Sequence, residues 1–431
     1  MKNQIKTLSG IALSVTMLFT SCRKEINTNL QQSLKNAEQN ESVSALYNPF
    51  GVFVIASASN QTLANTTDPT KQYELTYANK IALSKDYGVK YIRQHVYEDK
   101  WTDSVFRKGF LMNFYSATSN GIKVLLNVMA HPIDGKAYPF PDATAYGNML
   151  KNILDTLNAH KMKPELIVVE NEEANVLYHQ IDQTSQTTIN ASMQLYVNEL
   201  TTAVGICKSF VWWDGQKGVK VTNGGFTTRA ITYDTWYWLY YAKKDTAAAR
   251  TYAVNAITPT AYDNIYRSLK YNGAPPSYIM SSVNTDEFLR QKYEPLGLSF
   301  INIHWYEPAK TRGWNDVTEG GTPWAKGISQ DSTSKNVLET SIAYFAAMFT
   351  PKIISNEVGQ ITTSSNITRE LCNKILKRQS GSFYYAAWMD ADGNSDYDKK
   401  ALHNTFMNNG VDSYTLRPMG SVFRQANASR N

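Results

Sequence analysis

The stretch Leu166-Ile-Val-Val-Glu-Asn171-Glu172-Glu173 is a run of four apolar residues that ends in a cluster of acids. A short apolar run closed by polar residues is typical of a buried strand, and the Asn171-Glu172 pair places a carboxyl group at its end. A similar stretch occurs later in the chain, Pro351-Lys-Ile-Ile-Ser-Asn356-Glu357-Val-Gly359. The sequence therefore predicts two buried strands that each deliver a glutamate, Glu172 or Glu357, to their carboxyl end.

Six further apolar stretches of strand length alternate with segments whose apolar residues recur at helical spacing. This alternation predicts parallel strands joined by crossover helices, and eight such units close into a (β/α)8 TIM barrel with elaborated βα loops. A doubly wound open sheet is the alternative. The predicted strands span residues 49–55, 88–95, 121–128, 166–172, 218–225, 298–306, 351–359 and 382–388, and the predicted helices include 143–160, 189–210, 337–349 and 368–377.

Polar and aromatic side chains cluster at the ends of these predicted strands. In a barrel, the carboxyl ends of all strands face one site, so residues there are expected to converge. Core packing alone does not explain polar residues at this end of so many strands. The residues at or just past the strand ends are Arg93, His131, Glu172, His304, Tyr306, Glu357 and Trp388.

Two carboxyl groups that face one site are the pair of functional groups that glycosidic bond cleavage requires. One carboxyl is protonated and releases the leaving oxygen, while the other is ionised and attacks the anomeric carbon. Carboxyls about 5–5.5 Å apart form a covalent intermediate, whereas a separation of about 6.5–9.5 Å admits a water and leads to inversion. Arg93 is placed to hold Glu357 ionised through a charge-assisted hydrogen bond, although an ordinary ion pair between strands is an alternative.

With these residues the chain resembles the large clan of retaining (β/α)8 glycosidases, clan A, over residues 45–431. In that clan the acid/base follows an Asn on strand four and the nucleophile ends strand seven. The resemblance implies a retaining glycoside hydrolase that acts on β-linked glycans, with Glu172 as acid/base and Glu357 as nucleophile. It also implies the following binding roles: Asn171 at the sugar 2-hydroxyl, His304 and Tyr306 in the strand-six pattern where Tyr orients the nucleophile, Trp388 as the floor under the sugar, and His131 as a further binding residue.

Several alternatives stay open. Glu170 and Glu173 flank Glu172, although the preceding Asn favours Glu172 as the acid. Glu173 occupies the position where the clan commonly has proline, which weakens assignment to a particular family. His304 could be a core histidine and Trp388 could be plain core packing. The same barrel could also bind carbohydrate without turnover, or transfer the sugar to another hydroxyl as a transglycosylase.

The composition limits the classes of function. The net charge of +6 is spread along the chain, so nucleic-acid binding is not expected. The three cysteines lack metal-site spacing, no cofactor is expected, and Cys207 and Cys372 are predicted to be buried free thiols. Residues 390–394 carry acids like those of a calcium loop, but the twelfth-position Glu is absent, so a polar loop is predicted.

The aromatic content is high for a polar chain. There are 27 Tyr and 9 Trp residues, several of them in two long segments between predicted strands. Residues 226–290 are predicted to be an elaborated loop with short helices, and residues 306–330 a loop rich in glycine and tryptophan. Core filling is the simple explanation for the aromatics. Stacking on the rings of a polysaccharide or oligosaccharide substrate is the functional one.

The N-terminal segment is an export signal by composition. Residues 1–21 contain two early lysines, an apolar run over residues 11–19 and then small residues, which is typical of a secretory signal peptide. Cys22 directly follows and resembles the lipidated cysteine of bacterial lipoproteins, here of Bacteroidetes type, although ordinary secretion is the alternative. Residues 22–44 are polar and predicted to be a flexible tether, which leaves 45–431 as the catalytic domain. The sequence thus predicts an exported outer-membrane lipoprotein, anchored through Cys22 on the cell-surface or periplasmic side.

Overall fold

The computed structural model describes residues 47–55, 80–309, 333–377, 383–391, 401–403 and 415–430. The predicted signal peptide, Cys22 and the predicted tether lie outside the described residues, as does most of the 306–330 segment. Within the described ranges, no helix has both the length and the apolar content that a membrane crossing requires.

Eight parallel strands form the centre of the molecule. The strands are β1 (Phe50–Ile55), β2 (Tyr91–Tyr97), β3 (Lys123–Met129), β4 (Leu166–Val169), β5 (Lys220–Thr222), β6 (Phe300–Glu307), β7 (Lys352–Gln360) and β8 (Ala386–Ala391). Their order is β5-β4-β3-β2-β1-β8-β7-β6, so that β8 pairs with β1. All eight predicted strands are present, although the last spans Ala386–Ala391 instead of 382–388.

The seam between β5 and β6 is closed by Phe226, just beyond β5. Phe226 forms a parallel bridge with Ile303. Its N–H donates to Asn302 O at 3.1 Å, and its carbonyl oxygen accepts from the N–H of His304 at 2.8 Å. The sheet is therefore a closed (β/α)8 barrel, as predicted, and the doubly wound alternative is wrong.

The helices lie around the barrel. They are α1 (residues 80–87), α2 (Glu98–Trp101), α3 (Ser104–Ser119), α4 (Ala143–Ala159), α5 (Gln186–Ser209), α6 (Thr228–Tyr237), α7 (Thr246–Ala256), α8 (Pro259–Asn272), α9 (Ser277–Tyr293), α10 (Val337–Met348), α11 (Ser365–Lys377) and α12 (Pro418–Ala428). In α4 the side chain of Asp142 accepts from the backbone N–H groups of Thr144 and Ala145 and satisfies the first turn. Its buried residues recur at helical spacing, which confirms the helix predicted over 143–160.

The segment 226–290 differs from its prediction. It is mostly regular helix, because α6, α7 and α8 and much of α9 fall within it, together with a π-helical turn at Trp238–Ala242. The signals for α8 are local: the Thr258 hydroxyl accepts from Ala261 N, proline follows at the first position, and Gly273 ends the helix with φ 71°. The short helices predicted in this elaborated βα connection are therefore present, and they occupy more of it than the predicted loop does.

The strands separate an inner core from an outer one. The inner core of the barrel consists of Tyr91, Leu125, Leu166, Val168, Phe300, Ile354, Tyr385 and Ala387. Side chains alternate along a strand, so Trp388, one residue after Ala387, faces the opposite way. It is fully buried in the outer core, with its ring 5.3 Å from that of Phe423 on α12. The expected position of Trp388 at the floor of the site is therefore wrong, because Met389 points to the inside instead and packs beside Tyr306.

Two smaller predictions concern cysteines and the acids after strand eight. Cys207 and Cys372 are free and buried, as predicted, and burial raises the pKa of the Cys207 thiol to about 12. Asp390 lies in β8 rather than in a loop, and it accepts hydrogen bonds from the Tyr87 hydroxyl and from Leu402 N, each at 2.7 Å. Its carboxylate is thus used for structure. The following acidic position lies outside the described residues.

Candidate active site

The chain leaves β4 in an uncommon backbone conformation. β4 ends at Val169, and both Glu170 and Glu172 have positive φ, at 59° and 46°. Non-glycine residues rarely occupy this left-handed region, and such strain is concentrated at functional sites. The turn is closed by Asn175 N, which donates to Glu172 O at 2.7 Å. It sends neighbouring acids in different directions, since Glu172 is partly exposed whereas Glu170 and Glu173 are buried.

Glu357 is held by two donors at the barrel mouth. The pairing of β7 with β8 shifts between Ser355 and Val358, and with this irregularity both Asn356 and Glu357 contact groups of the site. Arg93 Nη1 donates to Glu357 Oε2 at 2.6 Å. The Tyr306 hydroxyl donates to Oε1 at 2.5 Å. Both carboxylate oxygens are therefore fixed by partners that the sequence placed at strand ends.

The electrostatic surroundings favour an ionised Glu357. Burial by itself would raise the pKa of this carboxyl. The positive charges of His304 and Arg93, with the hydrogen bonds from Tyr306 and Arg93, outweigh burial and hold the pKa well below its usual range. The carboxylate is therefore negatively charged at neutral pH, which a carboxylate nucleophile requires.

Glu172 faces Glu357 across His304. His304 Nδ1 lies 2.9 Å from Glu172 Oε1 and 3.6 Å from Glu357 Oε2, and Asn175 Nδ2 donates to Glu172 Oε2 at 2.5 Å. Contacting atoms of the two glutamates and the histidine lie within 4.8 Å of one another. Each glutamate side chain is 12% exposed, so both carboxyls can be reached from the mouth.

A chain of amides fixes which nitrogen of His304 carries a proton. The backbone N–H of Asn356 donates to Asn302 Oδ1 at 3.0 Å, so Asn302 Nδ2 is the donor to Asn356 Oδ1 at 2.7 Å. Asn356 Oδ1 is thus an acceptor, and His304 Nε2, 2.9 Å away, must donate to it. Nδ1 is left to face Glu172, either as a lone pair or as a second N–H. One proton can therefore be shared between His304 Nδ1 and Glu172 Oε1.

The charge of His304 follows from its neighbours. Burial would lower the pKa of this imidazole, but the negative charge of Glu357 and the hydrogen bond and charge of Glu172 outweigh burial and raise it. The histidine is thus a source of positive charge between the two carboxyls. It is not an inert core residue, although its side chain is fully buried.

Arg93 connects the two catalytic candidates through Asn171. Its side chain is buried, and Nη2 donates to Asn171 Oδ1 at 2.7 Å while Nε donates to Asn127 Oδ1 at 3.1 Å. Because the Asn171 oxygen is occupied, its amide Nδ2 is the group that remains for a sugar hydroxyl. Arg93 is thus more than an ordinary ion pair between strands.

The two acids that flank Glu172 are buried structural groups. Glu173 accepts from the Tyr293 hydroxyl at 2.6 Å, from Gly225 N at 2.8 Å and from Asn223 Nδ2 at 2.9 Å. Burial raises its pKa, although these hydrogen bonds act in the opposite direction. Glu170 Oε1 accepts from Ala130 N at 2.9 Å. Of the three acids after β4, Glu172 is therefore the one placed to act on a substrate.

His131 lies in a neighbouring pocket rather than among the residues that contact Glu357. Its ring stacks on that of Tyr138, with the centroids 4.5 Å apart. The pocket adjoins the site through His179, whose Nε2 lies 2.8 Å from Asn171 O. Burial lowers the pKa of His179 to about 4, so this imidazole is neutral. The pocket is lined by Met129, Ala130, His131, Pro132, Ile133, Pro139, Phe140, Pro141, Glu170, Tyr178 and His179.

The structure brings together six of the residues predicted from the sequence: Arg93, Asn171, Glu172, His304, Tyr306 and Glu357. Other members were missed, namely Asn127, Asn175, Asn302, Asn356, and the ring pair of Phe53 and His95 on β1 and β2. One signal was present in the sequence, because Asn356 directly precedes Glu357 as Asn171 precedes Glu172.

The same three side chains that converge here could in principle ligate a cation. Glu172, His304 and Glu357 offer atoms within 4.8 Å of one another. However, both oxygens of Glu357 are bound by Arg93 and Tyr306, and the guanidinium charge in contact with the carboxylate disfavours a second cation. The arrangement therefore fits an uncharged organic substrate better than a metal ion.

Comparisons with solved structures agree with this fold. A β-glucosidase from Exiguobacterium marinum superposes with a TM-score of 0.52 at 13% sequence identity, over 89% of this chain and 98% of that one. An exo-β-1,4-mannosidase from Opitutaceae bacterium strain TAV5 superposes with a TM-score of 0.50 at 11% identity, over 90% of this chain and 62% of that one. No family model and no curated protein matches the sequence. The chain therefore has the (β/α)8 barrel fold that these β-glycosidases share.

Proposed function

We propose that this protein is a retaining glycoside hydrolase that cleaves β-linked glycans or oligosaccharides, with Glu357 as nucleophile and Glu172 as general acid/base. The observation that carries the proposal is the opposition of these two carboxyls in unequal surroundings. Glu357 is bound by a guanidinium and a phenol, whereas Glu172 shares a contact with the imidazole of His304. Their nearest oxygens are within 4.8 Å, which is on the scale of retaining enzymes, about 5–5.5 Å, and short for inversion.

In the first half-reaction, a Glu357 oxygen attacks the anomeric carbon while the bond to the leaving oxygen breaks. Glu172 gives its proton to that oxygen, so the leaving sugar departs as an alcohol. The product is a covalent glycosyl ester of Glu357 and an ionised Glu172. Arg93 and Tyr306 hold the attacking carboxylate in one orientation. This orientation lowers the entropic contribution to the activation free energy of the attack.

In the second half-reaction, water attacks the same anomeric carbon. Glu172 takes the proton of the water, the bond to Glu357 breaks, and the sugar leaves with its original configuration. His304 can accept or return a proton through Nδ1 in both halves, because its Nε2 is fixed as a donor to Asn356. Asn171 offers its amide Nδ2 to the sugar 2-hydroxyl, a contact that gains strength in the transition state.

The test is release of reducing sugar from β-glucans, β-mannans, xylans and galactans, together with 4-nitrophenyl β-glycosides of the same sugars. The full chain, purified in detergent, is compared with the Glu357→Ala variant. The matched control is Glu294→Ala, which removes an exposed glutamate. We expect activity on at least one substrate, lost by several orders of magnitude only in Glu357→Ala, and product of retained configuration by NMR.

The outcomes separate the alternatives. If no substrate is turned over, and the full chain and Glu357→Ala both migrate more slowly in a gel that contains glycan, the result would instead support a carbohydrate-binding barrel. Transfer products longer than the substrate, in place of free reducing sugar, would support a transglycosylase with the same two residues. Inverted product would contradict the assignment of Glu357 as a nucleophile.

We also propose that the barrel, residues 45–431, is exported and anchored to the outer membrane through a lipid on Cys22. Support comes from the basic start, the apolar run and the small residues before this cysteine. Expression in a Bacteroidetes host with a radiolabelled fatty acid tests this. Label should appear in the wild-type chain and be absent from Cys22→Ala, and label in both would contradict the anchor.

A further inference from the structure

His95 lies in the site and has no part in the mechanism described above. It follows Arg93 by two residues on β2, so both side chains are on the face of the strand that points into the barrel. Arg93 reaches Glu357 from this face. His95 is one step closer to the mouth on the same face, and it is near enough to Glu357 for the charge of that carboxylate to act on its imidazole.

The ring of His95 is held by two aromatic neighbours. The ring of Phe53 on β1 lies 4.4 Å from it, centroid to centroid, with 32° between the planes. The Tyr97 hydroxyl lies 2.8 Å from His95 Nδ1. The tilted ring contact and the hydrogen bond fix both the plane of the imidazole and the direction of its other nitrogen.

Among the residues that the structure describes, that other nitrogen has no partner. Within the described residues, Nε2 of His95 is buried and makes no hydrogen bond. Buried polar atoms in folded proteins are almost always paired, and an unpaired one costs free energy unless a partner arrives later. An atom that is held in position, unpaired and on the strand face that carries the Arg93–Glu357 contact has the features of a ligand-binding group before its ligand binds.

The chemistry of the imidazole selects the type of ligand group. Burial, with the positive charge of Arg93, lowers the pKa of His95 well below its ordinary value, so the ring is neutral at neutral pH. A neutral imidazole nitrogen is either a donor or an acceptor, and a sugar hydroxyl can serve as the partner of both. A carboxylate or an ammonium group would lack one of these roles, and an ammonium would also lie against Arg93.

We propose that His95 Nε2 binds one hydroxyl of the sugar that Glu357 attacks, and that His95 is thereby a specificity-determining residue on the β1–β2 side of the site. This proposal rests on the proposed glycosidase function. The substrate class is then narrower than all β-glycosides. It contains those whose glycone carries a free hydroxyl at this position, and it excludes analogues in which the hydroxyl is removed or substituted, since these leave Nε2 unpaired.

The experiment assays each variant of His95 on glycosides that each lack one sugar hydroxyl. The full chain, His95→Phe and His95→Asn are assayed on the best 4-nitrophenyl β-glycoside and on its 2-, 3-, 4- and 6-deoxy analogues. His95→Phe keeps a ring against Phe53 but removes both nitrogens, while His95→Asn keeps a polar group. His160→Phe is the matched control, because His160 is exposed at the end of α4. Thermal melting without glycan shows that each variant is folded.

We expect wild-type kcat/KM to fall about 10- to 100-fold on one deoxy analogue. His95→Phe should lose about the same factor on the parent glycoside, and it should lose nothing further on that one analogue. Partial rescue by His95→Asn on the parent substrate would add support.

Two results would overturn the inference, and they differ from each other. If wild type turns over the glycosides but His95→Phe loses the same factor on every analogue, or loses nothing, the function stands and the hydroxyl contact is wrong. If wild type turns over none of these glycosides and none of the polysaccharides of the activity test, the proposed function fails and this inference fails with it.

Discussion

Two pairs of carboxyl groups lie around the end of β4, and their surroundings are opposite. Glu172 and Glu357 are partly exposed and have positively charged or hydrogen-bonding partners. Glu170 and Glu199 are buried, and within the described residues neither oxygen of Glu199 has a hydrogen-bond partner. Burial raises the pKa of Glu170 to about 8, and burial with the Glu170 charge raises that of Glu199 to about 10.

The comparison shows that position at a strand end does not by itself make a catalytic acid. Glu170 and Glu172 are two residues apart on one turn. Only Glu172 faces both the mouth of the barrel and the ionised carboxylate of Glu357. The two pairs differ in their cationic partners. Arg93 and His304 contact the first pair, whereas among the described residues no cation hydrogen-bonds to either oxygen of Glu199. The following predictions test this difference, beginning with the largest effect.

Replacing Glu172 should be far more damaging than replacing its neighbour. We expect Glu172→Gln to lower kcat on natural glycans by about 10²- to 10⁴-fold, since the proton donor to the leaving oxygen is lost. Glu170→Gln should stay within about threefold of wild type, because a buried carboxyl that is already protonated is replaced by a neutral amide. Steady-state hydrolysis with Glu294→Gln as an exposed control measures both. Equal losses of kcat in Glu172→Gln and Glu170→Gln would contradict the assignment of Glu172 alone as the catalytic acid.

His304→Asn should change both the rate and its pH dependence. Loss of the imidazolium takes away a positive charge that lowers the pKa of Glu357. The acidic limb of kcat/KM, which reports ionisation of the nucleophile, should therefore move to higher pH, with kcat down about 100-fold as charge-assisted contacts are lost.

The control for this change is His160→Asn at an exposed position. Its pH profile should match wild type. A His304→Asn profile with an unmoved acidic limb would show that the histidine acts only by packing.

Tyr306→Phe should have a smaller effect on turnover. The variant removes one hydrogen bond to the Glu357 carboxylate and leaves the Arg93 contact in place. A hydrogen bond to a charged group contributes about 1.5–3 kcal/mol, so we expect kcat/KM to fall at least about tenfold with the fold unchanged. Tyr115→Phe, at a tyrosine that is 62% exposed, is the control. Wild-type kinetics in Tyr306→Phe would contradict a role in holding the nucleophile.

Glu199→Met should affect stability and leave turnover unchanged. The folded state holds a proton on this carboxyl that the unfolded chain loses above pH of about 4.5, so stability falls as pH rises from there towards the folded pKa of about 10. The apolar replacement removes this loss and should stabilise the fold by about 1–3 kcal/mol, more at pH 9 than at pH 5. Thermal melting at both values checks it. A variant that melts lower than wild type at pH 9 would show that Glu199 has a stabilising partner.

The sequence by itself determined the barrel and most of the site. Apolar runs with turn residues between them locate all eight strands, and the Asn-Glu pairs at 171–172 and 356–357 mark two of the strand ends. These signals are local, because a buried strand needs its own apolar residues and a polar end. Arg93, His304 and Tyr306 were found for the same reason.

Only the tertiary structure decided which way each side chain points and which acid is which. A difference of one residue along β8 sends Trp388 to the outer core and Met389 to the inside, because side chains alternate along a strand. The choice among Glu170, Glu172 and Glu173 depends on a turn with positive φ and on distant partners such as Tyr293. The tautomer of His304 depends on Asn356 on another strand. The orientation of the His95 ring depends on Phe53 on β1 as well as on nearby Tyr97, and no local pattern of residues encodes the contacts between strands.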